Sequence, residues 1–130
     1  MRKFILILLI AICNNVKADT TGVYQMIVSH DIKCPKIVYA QLMYESGYLN
    51  CNDCSWSSSN NAFGFHNGKR YLRYKSLDHC IENYKEWQQW RGFDGCSEYA
   101  YYNFLNDVWG APNMTQYIEK LKQIYKLIFE

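Results

Sequence analysis

The chain has 130 residues, enough for one domain, and 49% of them are hydrophobic, so a core can form. The formal net charge is +2 at pH 7, and the chain lacks the basic run that nucleic-acid-binding proteins carry, which excludes nucleic acid as the expected partner. Aromatic residues make up 17% of the chain, 12 of them Tyr, and such residues serve either as core or as surfaces that stack on sugars or bases.

The first 18 residues have the pattern of a secretory signal peptide. Arg2 and Lys3 give a positive start, an uninterrupted apolar stretch follows at residues 4–12, and a small-residue cleavage pattern ends at residue 18. The apolar stretch is too short to span a bilayer. A lipoprotein signal is disfavoured because Ile12 is larger than the residue that usually precedes a lipidated cysteine. We therefore expect removal of residues 1–18, no membrane span afterwards, and export to the periplasm or the cell exterior.

Removal of this segment changes the charge and the cysteine count. Three basic residues are lost, which leaves 11 basic against 12 acidic residues and a net charge of −1. The cysteines that remain are Cys34, Cys51, Cys54, Cys80 and Cys96. Export implies an oxidising compartment, so disulfides are favoured, although an odd number leaves at least one cysteine without an internal partner. Their pairing is left open, and a zinc site from four of them, without Cys34, is a weaker alternative.

After the signal peptide the pattern predicts two helices with a short connection. The first is expected from about Asp19 to Ser29, where Asp and Thr offer N-cap chemistry. The second begins at Pro35, because the missing N–H of proline is harmless in a first turn. It ends before Gly47, since glycine adopts positive φ without a Cβ clash.

Glu45 is the residue on which the functional hypothesis depends. It lies in the last turn of the second helix, where a carboxylate faces the negative end of the helix dipole. Met43 and Tyr44 add apolar surroundings. Both effects favour the neutral acid and raise its pKa, as a general acid near neutral pH requires. The alternative is a solvated glutamate at a frayed helix end.

A polar loop over residues 48–61 and then a β-hairpin are expected next. Asn67-Gly68 stands between the aromatic-rich residues 63–66 and 69–74. Asn-Gly between such runs is the strongest short hairpin signal, because a type I′ turn needs positive φ at both central residues. An isolated hairpin is only marginally stable, so this one must pack on the helices or line a cleft.

Further helices complete the chain. Ser76 caps a helix that ends before Gly92, Ser97 caps the next, and Asn113 caps the last, which runs to the C-terminus. The expected fold is α+β and mostly helical, with one small β-hairpin.

Two motifs carry a resemblance to a known family. They are Ile37-Val38-Tyr39-Ala40-Gln41-Leu42-Met43-Tyr44-Glu45-Ser46-Gly47 and Asn60-Asn61-Ala62-Phe63-Gly64-Phe65. Together they resemble the bacterial glucosaminidase domain of the flagellar peptidoglycan-hydrolase type, glycoside hydrolase family seventy-three. Residues 74–84 and 112–121 are similar to later segments of that family, so the resemblance covers nearly all of residues 30–125.

The resemblance implies that residues 19–130 form a lysozyme-like domain with the hairpin beside a substrate cleft. It implies an exported hydrolase that cleaves β-1,4 bonds of peptidoglycan glycan strands as an endo-β-N-acetylglucosaminidase, with Glu45 as the general acid. No cofactor or metal is expected, and the chain is expected to be a monomer.

The same resemblance assigns candidate substrate contacts. Asn60, Asn61, Phe63 and Gly64 match the segment that shapes the cleft floor, although both asparagines also suit turn chemistry. The other candidates are Tyr101, Tyr102 and Trp109. Core packing is the better expectation for at least one of the two tyrosines, and Trp109 stands where the family usually has a tyrosine, so its role is open.

The chain departs from the family in its acids. Between Glu45 and Asp78 the only other Asp or Glu is Asp53, whereas the two-carboxylate scheme needs a second group about 5–9.5 Å away. A substrate-assisted route and a lytic-transglycosylase route need no such group, and both stay open. So does a non-catalytic glycan-binding module on the same fold. A more distant alternative is a helical protein that binds a protein partner through its aromatic surface.

Overall fold

The computed structural model describes residues 22–130, and helices dominate this part of the chain. They are residues 22–29 (α1), Pro35–Glu45 (α2), Ser55–Ser59 (α3), Leu77–Trp90 (α4), Glu98–Val108 (α5) and Met114–Phe129 (α6). The expected signal peptide, residues 1–18, and the expected start of the first helix lie outside the described residues. From residue 22 onward, no helix has both the length and the apolar character that crossing a membrane requires.

Helix α2 is the centre of the fold. Its residues 37–43 are all buried, so this helix is covered on every side instead of presenting one polar face to water. Helix α6 packs along α2 and also contacts α5. The inward stripe of α6 consists of Tyr117, Leu121 and Ile124. The end of α2, where Glu45 lies, is therefore held by the core itself.

The predicted helix starts are confirmed. Pro35 begins α2. Ser76, Ser97 and Asn113 each accept a hydrogen bond from the backbone N–H three residues further on, at 3.0–3.1 Å. Each bond replaces an intrahelical partner that the first turn lacks.

The predicted β-hairpin is wrong, and the α+β class with it. Over residues 22–130 the structure has no strand, and a single bridge pairs His66 with Tyr71. Asn67 explains the difference, because its side-chain oxygen accepts the backbone N–H groups of Lys69 and Arg70, at 2.9 and 3.0 Å. Such local side-chain bonds compete with a regular turn. They produce a four-residue loop instead of the two-residue turn that would start a ladder.

Asn60 and Asn61 remove further backbone groups from strand pairing. The Asn61 amide nitrogen donates to the carbonyls of Phe65 and Leu72, at 2.8 and 3.0 Å, and its oxygen accepts the Phe65 N–H at 3.0 Å. The Asn60 amide donates to the carbonyl of Tyr74 at 3.1 Å. Residues 65–74 are thus held by side chains from the end of α3.

Helix α3 lies where the sequence predicts a polar loop. Four of its five residues are serines, which are weak helix formers. Asn60 ends it in the left-handed conformation, with φ of 53°, and the Ser55 hydroxyl donates to the carbonyl of Asn61 at 2.8 Å. This short helix therefore sets the position of both asparagines.

Candidate active site

A cleft of about 820 Å³ opens beside the end of α2. Its volume lies within the range of small-molecule sites, about 300–1,000 Å³. The walls come from α2, the segment after α3, the end of α4, and the connection from α5 to α6. The lining residues closest to the end of α2 and to the aromatic wall include Glu45, Phe63, Gly64, Trp87, Trp109 and Tyr117.

The carboxylate of Glu45 is partly buried in the wall of this cleft. Its Oε2 atom lies against Gly64, where an added Cβ would come within 3.2 Å of it. Gly64 has φ of +72°, a conformation that side chains with a Cβ rarely adopt. Both the backbone and the closeness of the carboxylate therefore require glycine here.

Burial raises the pKa of Glu45 above its ordinary value. The hydroxyl of Tyr117 and the indole N–H of Trp109 lie within hydrogen-bonding reach of the carboxylate and lower the pKa, but burial outweighs them. The predicted rise in the pKa is confirmed, with burial in the cleft wall as its main cause.

Tyr117 and Gln41 lie beside this carboxylate with incomplete hydrogen bonding. Tyr117 is within reach of both Glu45 and Gln41. Even so, neither its buried hydroxyl nor the Gln41 side-chain nitrogen completes a well-formed hydrogen bond within residues 22–130. An unpaired buried polar group costs about 1–3 kcal/mol, so two such donors together are unusual. The Tyr117 O–H is therefore available to a negative charge that develops at Glu45.

A chain of buried polar side chains runs from Gln41 into the core. The Tyr84 hydroxyl donates to Gln41 Oε1 at 2.7 Å and is hydrogen-bonded to the hydroxyl of Tyr101. Gln88 donates to Tyr101 at 3.1 Å and bonds to both backbone groups of Lys33. A buried hydrogen-bond network of this kind fixes helices relative to one another. Here it joins α2 to α4 and α5 behind the cleft.

The structure brings four predicted site residues to the cleft: Glu45, Phe63, Gly64 and Trp109. Phe63 is fully buried beneath it. The Trp109 ring stacks on Tyr117, with centroids 6.4 Å apart. The helix-end acid and the segment after α3 therefore meet at the cleft.

The other predicted substrate contacts lie elsewhere. Asn60 and Asn61 sit behind the cleft and hold backbone, as described above. Tyr101 is fully buried in the core. Tyr102 lines a separate depression between α5 and α6, where the Lys122 ammonium lies 5.3 Å from its ring centroid. None of the four lines the cleft, because their side chains point into the core or to another face.

Glu45 is the one carboxylate among the described residues that line the cleft. Asp53, the other acid considered from the sequence, is exposed in the loop before α3 and does not line it. Over residues 22–130, no group of three or more His, Cys, Asp or Glu side chains is placed to hold a metal. Cys80, one of the four cysteines of the zinc alternative, is buried in the core.

Sequence reasoning missed Tyr71 and Arg91 at the exposed rim of the cleft, and it missed the contact between Tyr117 and Glu45 in the cleft wall. Tyr71, Trp90 and Arg91 form the rim. Trp90 lies off the core stripe of its helix, and this position predicts a side chain that faces ligand or solvent. The spacing of Tyr117 on α6 fits the buried stripe and predicts core packing alone, yet Tyr117 also faces Glu45.

Comparisons with protein-family models, curated proteins and solved structures find nothing that matches this chain. The resemblance to glucosaminidase domains therefore rests on the motifs themselves, and it stays a prediction.

Proposed function

We propose that this chain is an exported peptidoglycan hydrolase of the endo-β-N-acetylglucosaminidase type, with Glu45 as its general acid. One observation carries the proposal. A partly buried carboxylate with a raised pKa lies in an aromatic-lined cleft, against a glycine that leaves room for it. Aromatic walls with a few polar groups suit a ligand such as a sugar, which has apolar faces and polar edges.

Glu45 supplies the proton in the proposed reaction. Burial keeps the carboxyl group protonated at a higher pH than in water, so it can donate to the glycosidic oxygen as the bond from that oxygen to the sugar C1 breaks. The negative charge left on Glu45 is then met by the Trp109 N–H and the Tyr117 hydroxyl. The Gln41 side chain lies within hydrogen-bonding reach of Tyr117, not of Glu45.

The single carboxylate favours a route without a protein nucleophile. In a substrate-assisted reaction, the acetamido oxygen of the sugar attacks C1 to give an oxazolinium ion, which water then opens. In a lytic-transglycosylase reaction, a hydroxyl of the sugar itself takes the place of water. Mass spectrometry of the released muropeptides distinguishes the two, because the transglycosylase product is lighter by one water molecule.

A second candidate function follows from the same feature of the cleft. A glycan-binding module without turnover needs the aromatic walls but neither a second carboxylate nor a proton donor. In this case Glu45→Gln leaves glycan affinity nearly intact, and the wild-type protein releases no new reducing ends from peptidoglycan.

Zymography in peptidoglycan-loaded gels tests the enzymatic proposal. Wild-type protein is expected to clear the gel. Glu45→Gln keeps the side-chain shape but cannot donate the proton, so activity should fall by about 10²- to 10⁴-fold. Asp53→Asn is the matched control, since this exposed acid lies outside the cleft, and it should clear like wild type. Undiminished clearing by Glu45→Gln contradicts the proposal.

A further inference from the structure

The C-terminal end of α4 brings an exposed aromatic ring and a cation to the cleft. Trp90 is 75% exposed and lines the cleft together with Arg91. The guanidinium carbon of Arg91 lies 4.8 Å from the centroid of the Trp90 ring, which is a cation–π distance. The arginine is thereby held beside the ring, and most of the ring still faces solvent.

Such exposure is unusual for tryptophan. Large aromatic side chains are highly buried on average, and an exposed one within a concave surface marks a contact site. Trp87, one turn earlier on α4, packs at 5.1 Å from Trp109 and belongs to the inner wall. Trp90 has no ring contact with another aromatic residue among the described residues. It is therefore available to stack on a ligand.

Arg91 has no acidic partner in the described part of the chain, where the ion pairs are His30–Asp78 and Lys122–Glu119. The one carboxylate in the cleft lining is Glu45, and its raised pKa favours the neutral form. The cleft thus carries an unpaired cation and little fixed negative charge. This balance favours a ligand that brings its own negative charge.

We propose that Trp90 and Arg91 form a subsite for an acidic sugar unit, in which the ring stacks on the sugar and the guanidinium pairs with a carboxylate on that sugar or on its substituent. The planar fork of arginine matches a carboxylate with two parallel hydrogen bonds. The inference rests on the proposed function and adds the preferred substrate class: a glycan with carboxylates, such as the lactyl and peptide groups of peptidoglycan, over a neutral glycan.

Binding to an insoluble glycan tests the subsite without turnover. The parent protein carries Glu45→Gln, so the glycan stays intact. One ligand is native peptidoglycan, and the other is the same material with its carboxyl groups converted to neutral amides. The parent protein should bind native peptidoglycan about fivefold more tightly, as expected for one exposed ion pair. Added salt should remove this preference, because an exposed pair is screened.

Substitutions in the parent protein separate the two parts of the subsite. Arg91→Gln should lose the preference by binding native peptidoglycan about fivefold more weakly, with binding of the amidated form unchanged. Arg91→Lys keeps the charge and should keep part of the preference. Trp90→Ala should weaken binding of both ligands about equally. Arg73→Gln and Tyr99→Ala are the matched controls, exposed residues outside the cleft, and should bind like the parent.

The possible outcomes separate this inference from the proposed function. Equal binding of both ligands by the parent protein overturns the acidic subsite and leaves the proposed function standing, and so does an unchanged preference in Arg91→Gln. A folded parent protein that binds neither ligand overturns both. Trp90 and Arg91 are exposed, so thermal melting should match the parent and show that a loss of binding is not a loss of folding.

Discussion

The floor of the cleft and the part of its rim that contains Tyr71 come from neighbouring stretches of the chain but are built in opposite ways. Residues 61–63 are buried, and the Phe63 ring lies 4.4 Å from that of Tyr84 in the core. Residues 66–71 are all exposed, and a single bridge joins their ends. Only two residues, Gly64 and Phe65, separate the stretches, so the contrast arises from packing and not from distance along the chain.

This contrast separates stability from selectivity. The floor positions the carboxylate of Glu45. Packing must keep this carboxylate in place, because proton transfer depends on geometry. The rim carries Tyr71, Trp90 and Arg91 with few buried contacts, and such regions open locally at little cost. Substitutions in the floor should therefore change folding, whereas substitutions at the rim should change binding.

The largest expected effect is a loss of stability when a residue of the floor is removed. Phe63→Ala removes a fully buried ring and should lower the free energy of unfolding by about 3–5 kcal/mol. Tyr71→Ala at the rim removes a ring that is 53% exposed and should change it by about 0.5 kcal/mol or less. Urea denaturation of both variants measures the difference. Equal losses would show that the rim supports the fold as much as the floor does.

The helices could be predicted because their signals are local. A cap such as Ser76 or Asn113 bonds to a backbone group three residues away, so the sequence near it is sufficient. The hairpin could not be predicted correctly, because Asn61 reaches carbonyls four and eleven residues away. A propensity argument sees the Asn-Gly turn and cannot see the competing side chain.

In the candidate site too, some residues could be predicted from the sequence and others could not. Glu45 and Gly64 could be predicted as a pair, since a helix-end acid and a nearby glycine segment are visible as motifs. Tyr101 and Tyr102 could not be placed, because adjacent residues on one helix face different sides, and only the fold decides which side is the core. The place of Trp90 and Arg91 at the cleft could not be predicted either, because it depends on which elements of the fold leave the end of α4 uncovered.

A second, smaller effect is expected at Gly64, which lies between the floor and the exposed residues 66–71. Gly64→Ala forces a Cβ into a left-handed backbone and within 3.2 Å of Glu45 Oε2. Gly68→Ala meets the same kind of backbone, with φ of +94°, but has no atom within 4 Å. Each should lose about 1–2 kcal/mol of stability from the backbone alone. Gly64→Ala should also lose activity, because it displaces the carboxylate.

Activity per folded molecule, measured beside urea denaturation, checks this pair. Gly68→Ala serves as the control for the backbone cost, since it leaves Glu45 untouched. Full activity in Gly64→Ala would mean that the position of the carboxylate against Gly64 is irrelevant to turnover, and the floor would then be a structural feature only.

The smallest expected effect concerns the stability cost of Glu45 itself. Burial raises the pKa of Glu45 in the folded state above its ordinary value, so between these two pKa values the folded protein holds more protons than the unfolded chain. Stability must then fall as the pH rises through this window. Glu45→Gln has no proton to lose there. Its melting temperature should match that of wild type in acid and exceed it above the window.

Thermal melting of wild type and Glu45→Gln across the acid and neutral range measures this difference. A melting difference that does not change with pH would mean that the carboxyl group titrates alike in both states, contrary to its burial. A melting difference that grows with pH places a destabilising ionisable group in the wall of the cleft. Functional sites commonly have this property, because activity there opposes stability.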